Sequence, residues 1–66
     1  MPRYYVNREQ QNNGDHEVHV DSCSVLPSNR IDLGIHDTCK EAVKKAKTYY
    51  TQSNGCYWCS RPSHTT

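Results

Sequence analysis

A small α+β domain, with about three short strands or a hairpin packed on one helix in the C-terminal half, is the fold this sequence predicts. Three observations predict it. Short alternating apolar segments fill the first half, a capped amphipathic segment lies in the second, and cysteine and histidine pairs flank that segment. Sixty-six residues make one domain spanning 1–66, and a 33% apolar content leaves its core thin. Leu, Ile and Val number nine, Phe is absent and the mean hydropathy is −1.02. The net charge is only +1, however, and five Tyr and one Trp are available for burial, so a folded domain with a staple is expected rather than a disordered chain. Below roughly 70 to 80 residues a core rarely supplies more than about 5 kcal/mol, and a metal, disulfides or self-association must add to it. Four cysteines and four histidines are the candidates.

The elements follow in order. Tyr4, Tyr5 and Val6 form an aromatic and β-branched run. His16 to Val20 alternates, with Val18 and Val20 on one face and Glu17 and His19 on the other. These two strands are expected to pair across the polar loop from Asn7 to Gly14. After the break at Pro27, Ser28 and Asn29, the segment Arg30 to Leu33 alternates again and is expected to end at Gly34 as a third strand. Thr38 followed by Glu41 is a capping box, which starts a helix at Cys39. The three- and four-residue spacing of Cys39, Ala42, Val43, Ala46, Tyr49 and Tyr50 carries it to about Gln52, with Asn54 and Gly55 as a left-handed stop. The helix is expected to pack through Ala42, Val43, Ala46 and Tyr49 or Tyr50 onto Val18, Val20, Ile31 and Leu33.

Three residues lie between His19 and Cys23, two between Cys56 and Cys59, and 32 between the pairs. Two short chelating loops that supply one imidazole and three thiolates match the donor set of a closed tetrahedral zinc site. Gly55 permits a sharp turn into the second pair, Pro62 prevents a regular continuation, and Tyr57 and Trp58 are available to shield the ion. Cys39 and His64 remain alternatives to His19. Cys39 shares the apolar helix face and reads better as core, while His64 lies close to the C-terminus. His16 and His36 read as surface or packing residues. A redox dithiol at Cys56 and Cys59 fits poorly, because the pair follows a helix instead of opening one. No run approaches a membrane span, and the first residues lack the apolar stretch of a signal peptide. Reduced thiols in the cytoplasm are therefore expected, which favours metal over disulfides.

These residues resemble a known family, the zinc-binding N-terminal domain of the bacterial Ada DNA-repair protein and the stand-alone modules related to it. The similarity runs through Tyr5-Val6-Asn7, Val18-His19, Cys23 and Leu26-Pro27, then Asn29-Arg30-Ile31, Thr38 to Ala42, Gly55-Cys56, Cys59 and Arg61-Pro62. It implies a small β-hairpin and helix fold around one zinc ion, with His19, Cys23, Cys56 and Cys59 at the ligand positions. In the family the first thiolate accepts a methyl group from a phosphotriester. The first position here is His19, whose imidazole cannot act as that thiolate, and 66 residues hold neither a helix-turn-helix nor an alkyltransferase domain. The resemblance thus implies an accessory binding or structural role.

Charge divides the chain unevenly, net −3 over residues 1–37 and net +4 over residues 38–66. Lys40, Lys44, Lys45 and Lys47, with Arg61 if the tail folds back, form either a solvated helix face or a contact for nucleic acid, and Tyr57 and Trp58 either shield the metal or stack on a base. With zinc and three thiolates the domain carries a net charge of about zero, which limits generic DNA binding to such a local surface. A protein partner is the other expectation, and none at a membrane. No hydrolytic triad, phosphate-cradling Gly-rich loop or carboxylate pair is present. The expected function is a non-enzymatic zinc-stabilised binding module. Two alternatives are a zinc-activated thiolate that accepts an alkyl group and an interaction protein held by disulfides.

Overall fold

The alternating segments do form strands. In the computed structural model, whose described residues are 2–60, 62 and 64, the chain runs β1 (Arg3–Asn7), β2 (His16–Val20), β3 (Arg30–Ile35), α1 (Cys39–Ala46) and β4 (Ser53–Gly55). One mixed sheet holds all four strands in the order β3-β1-β2-β4. β1 is antiparallel to both β2 and β3, and β4 lies parallel to β2. The α+β expectation holds, and β1 pairs with β2 across the polar loop in the register Tyr4 to Val20, Tyr5 to His19 and Val6 to Val18.

The helix covers one face of the sheet. Tyr4, Val6, Val18 and Leu33 bury against Cys39, Ala42 and Ala46, and Val20, Ile31, Val43 and Tyr50 pack at the border. Thr38 opens the helix, its Oγ1 accepting the Glu41 N–H at 3.3 Å.

Three details differ from expectation. β3 continues through Gly34 to Ile35 instead of stopping, because the pairing with β1 shifts between Tyr4 and Tyr5 and Gly34 adopts a φ of +87° that accommodates the bulge. The Asp32 carboxylate accepts the Gly34 N–H and an Arg3 guanidinium N–H, both at 2.8 Å, and these bonds hold its pKa below the usual carboxylate value. The helix ends at Ala46, not Gln52. Beyond it the chain tightens into three-residue turns, with Thr48 N–H donating to Lys45 O and Tyr49 N–H to Ala46 O, and the Thr48 hydroxyl also donates to Lys45 O at 2.6 Å. Asn54 and Gly55 form no left-handed stop; among the described residues only Gly14 and Gly34 have positive φ, and Asn54 and Gly55 belong to β4. Tyr50 reaches the core border and stacks on the His16 ring, centroids 3.7 Å apart, whereas Tyr49 is half exposed.

Candidate metal centre

β2 and β4 bring the two ligand pairs together. Successive side chains of a strand point to opposite faces, yet Val18 and His19 are 0% and 1% exposed. Helix α1 covers the face of Val18, and the cysteine loops cover His19. Cys56 follows β4 directly, and its N–H donates to Val18 O at 2.9 Å, fixing the second loop beside β2. Cys23 is placed by a turn after β2 in which its own N–H donates to Val20 O at 3.0 Å. The turn from Cys56 closes through the Ser60 N–H to Cys56 O, 2.8 Å, while the amides of Trp58 and Cys59 donate to the Cys56 sulfur. Val20 N–H donates to Cys59 Sγ at 3.4 Å.

One ligand atom from each of His19, Cys23, Cys56 and Cys59 lies within 4.8 Å of all the others. The Cys23 and Cys56 sulfurs are 4.0 Å apart, and Cys59 Sγ is 3.8 Å from His19 Nδ1. The other imidazole nitrogen, Nε2, stands 3.6 Å from Glu17 Oε1. No disulfide joins any of the four cysteines. Burial pushes the His19 pKa down, opposed in part by Glu17, and so keeps the imidazole neutral. Burial also pushes the Cys56 thiol up and the Cys59 thiol up to about 12, against the amide and Ser60 hydrogen bonds that favour thiolate. Neutral imidazole, the buried Cys56 sulfur and the half-buried Cys23 and Cys59 sulfurs facing one another make a cluster able to hold a metal ion, whose charge would supply what burial denies the thiolates.

Neither alternative ligand joins the cluster. Cys39 is buried in the core at the helix start. His64 turns its Nδ1–H to Gly55 O at 3.0 Å and meets the Tyr57 ring edge-on at 5.4 Å. His36 donates from Nε2 to Leu33 O at 2.8 Å.

No family model, curated protein or solved structure matches this chain.

The remaining predicted residues divide by exposure. Lys40, Lys44, Lys45 and Lys47 are all exposed, and Arg61 lies outside the described residues. Trp58 does not bury over the cluster. It is 75% exposed and meets Tyr57 edge-on at 5.1 Å. The sequence reading missed Glu17 and Ser60. Glu17 was findable, since it lies two residues before His19 on the same face of a strand; Ser60, fully buried beside Cys59, carries no such signal. No helix is long and apolar enough to cross a membrane.

Proposed function

We propose that this chain is a non-enzymatic, zinc-stabilised mini-domain that serves as a binding module. The observation that carries the reading is the convergence of one imidazole and three thiol sulfurs within 4.8 Å. Around tetrahedral zinc, adjacent sulfurs stand about 3.8 Å apart and a sulfur and a nitrogen about 3.5 Å apart. The separations of 4.0 Å for Cys23 to Cys56 and 3.8 Å for Cys59 to His19 Nδ1 fall close to those values. Soft donors select zinc over magnesium or calcium, and a fully ligated ion leaves no open position for a substrate. The same four residues occupy the ligand positions of the Ada-like pattern, and the reading extends to an accessory module of that kind, with His19 replacing the methyl-accepting thiolate. Free thiols suit a reducing compartment such as the cytoplasm.

Native mass spectrometry with a chelator-treated control tests this. One zinc per chain, lost together with the far-UV circular dichroism of the fold, is the expected result; a folded chain that takes up no metal would overturn the reading. A second reading, the sacrificial alkyl acceptor, is favoured by the half-burial of Cys23 and Cys59. The sulfur would attack the methyl carbon of a phosphotriester, forming an S–C bond as the O–C bond breaks and the phosphodiester anion leaves. Incubation with a methyl phosphotriester and intact-mass analysis decides it: a gain of one methyl supports this reading, and an unchanged mass removes it.

A further inference from the structure

A second constellation runs along helix α1 to the His16 end of β2. Helix α1 and its C-cap present Lys40, Lys44, Lys45 and Lys47 to solvent, and no ion pair links any of them to a carboxylate among the described residues. The one acidic residue of the helix, Glu41, faces His36 instead, at 3.9 Å from its Nδ1. An unneutralised stripe of this kind gains little for helix stability and attracts phosphate.

Immediately after the stripe the chain lines an open cavity of about 320 Å³ with Tyr49, Tyr50 and Gln52, joined by Gln10 of the β1–β2 loop and His16 of β2. The His16 and Tyr50 rings stack within 3° of parallel. Donation from His16 Nδ1 to Asn7 O at 2.9 Å leaves Nε2 as an acceptor. Tyr49 is 50% exposed, with its ring available at the cavity edge. Asp15, the nearby buried carboxylate, accepts from the amides of Asn13, Gln52 and Asn54, neutral donors that leave its negative charge in place, so the cavity suits a base and the phosphates belong on the lysine side. Aromatic faces and hydrogen-bonding groups at the end of a cationic stripe are the two parts of a single-strand binding surface: cations track the backbone and rings stack the bases.

We propose that this surface binds single-stranded nucleic acid, with phosphates along Lys40, Lys44 and Lys47 and one base in the cavity between Tyr49 and Gln10. The inference rests on the binding-module reading but uses none of the metal ligands. β2 separates His16 at the cavity from Val20 at the cluster by about 13 Å, so the two sites are separately testable.

The test titrates the purified chain, its metal content read by native mass, into fluorescein-labelled oligo-uridylate and oligothymidylate of about ten nucleotides at about 50 and 200 mM salt. Binding that weakens with salt is expected, and Tyr49→Ala lowers affinity about tenfold. Lys44→Glu combined with Lys47→Glu lowers it about tenfold as well and flattens the salt dependence. Gln10→Ala, in an exposed loop, provides a second cavity variant should Tyr49→Ala lose its circular dichroism. Absence of binding to both strands at the lower salt would overturn the proposal. So would equal affinity for a duplex of the same length, or unchanged affinity in the folded cavity variants while the lysine variant fails. A zinc-loaded chain that binds neither strand removes this inference alone, whereas strand binding by a folded chain that takes up no metal removes the zinc reading alone.

Discussion

The two ends of β2 are finished in opposite ways. At the His16 end the buried side-chain polar groups meet partners from the chain itself: Asp15 accepts from three side-chain amides and the Ser53 hydroxyl donates to Tyr50 O at 2.6 Å, while the His16 backbone N–H donates to Gln52 O. At the Val20 end an imidazole and three sulfurs face one another. The difference teaches where this small chain obtains its stability. One end is closed by directional hydrogen bonds between neutral amides and a carboxylate, the other by donors that need a cation to become strong.

Breaking the sulfur end has the largest expected effect. Cys56→Ser removes a ligand whose site contributes on the order of 10 kcal/mol when zinc is bound, so the domain unfolds even with zinc present, read as loss of far-UV circular dichroism. At the amide end, Asp15→Ala removes the carboxylate that accepts from Asn13, Gln52 and the buried Asn54. It should lower unfolding free energy by about 2 to 3 kcal/mol in urea titration while leaving metal stoichiometry at one. Glu17→Gln sharpens the contrast, because it touches the sulfur end without removing a ligand. With Glu17 no longer orienting the ring through Nε2, zinc affinity measured by chelator competition should fall about 10- to 100-fold with the fold retained. Equal affinity would mean that the carboxylate 3.6 Å away does not orient the imidazole.

The last contrast is a pH profile of the zinc-loaded chain. His19, which burial keeps neutral in the fold, takes up a proton near 6.5 once unfolded, and the sulfurs that zinc would hold as thiolates are thiols in the unfolded chain below about 8.5, so stability falls as pH drops through both values. A urea midpoint that declines steadily from about pH 8 to about pH 6 is expected. A level midpoint over that range would show that no metal competes with protons for these groups.

The four residues of the cluster were legible because the two pairs are each close in sequence, and the hairpin because apolar alternation and a polar loop agree. The helix end was not. Tyr49 and Tyr50 continue the apolar period past Ala46, but Tyr50 meets His16 from a turn, and periodicity alone cannot distinguish a helix from a turn that carries a ring to the same face. β4 escaped for the opposite reason. Ser53, Asn54 and Gly55 have low strand propensity and are buried through polar contacts with Asp15 and Tyr50 and backbone pairing with β2, none of which a local pattern reveals. Trp58, which lies between two cysteines of the cluster, reads from the sequence as a shield for a metal or a ring to stack on a base. The two-residue spacer turns its amide inward to Cys56 and leaves the indole outside.

The parallel pairing of β4 with β2 also sets an order of assembly. His19 and Cys23 come together through one strand end and one turn, local events that close in microseconds or less. Cys56 and Cys59 reach them only after the chain has closed a loop of 32 residues and docked an edge strand three residues long, contacts of high sequence separation that form late. An ion bound as proposed would meet a bidentate half-site first and be locked by the final docking step. Its slow release, rather than its first capture, would then report the docking of β4, and metal-exchange kinetics would serve as a clock for the last stage of folding.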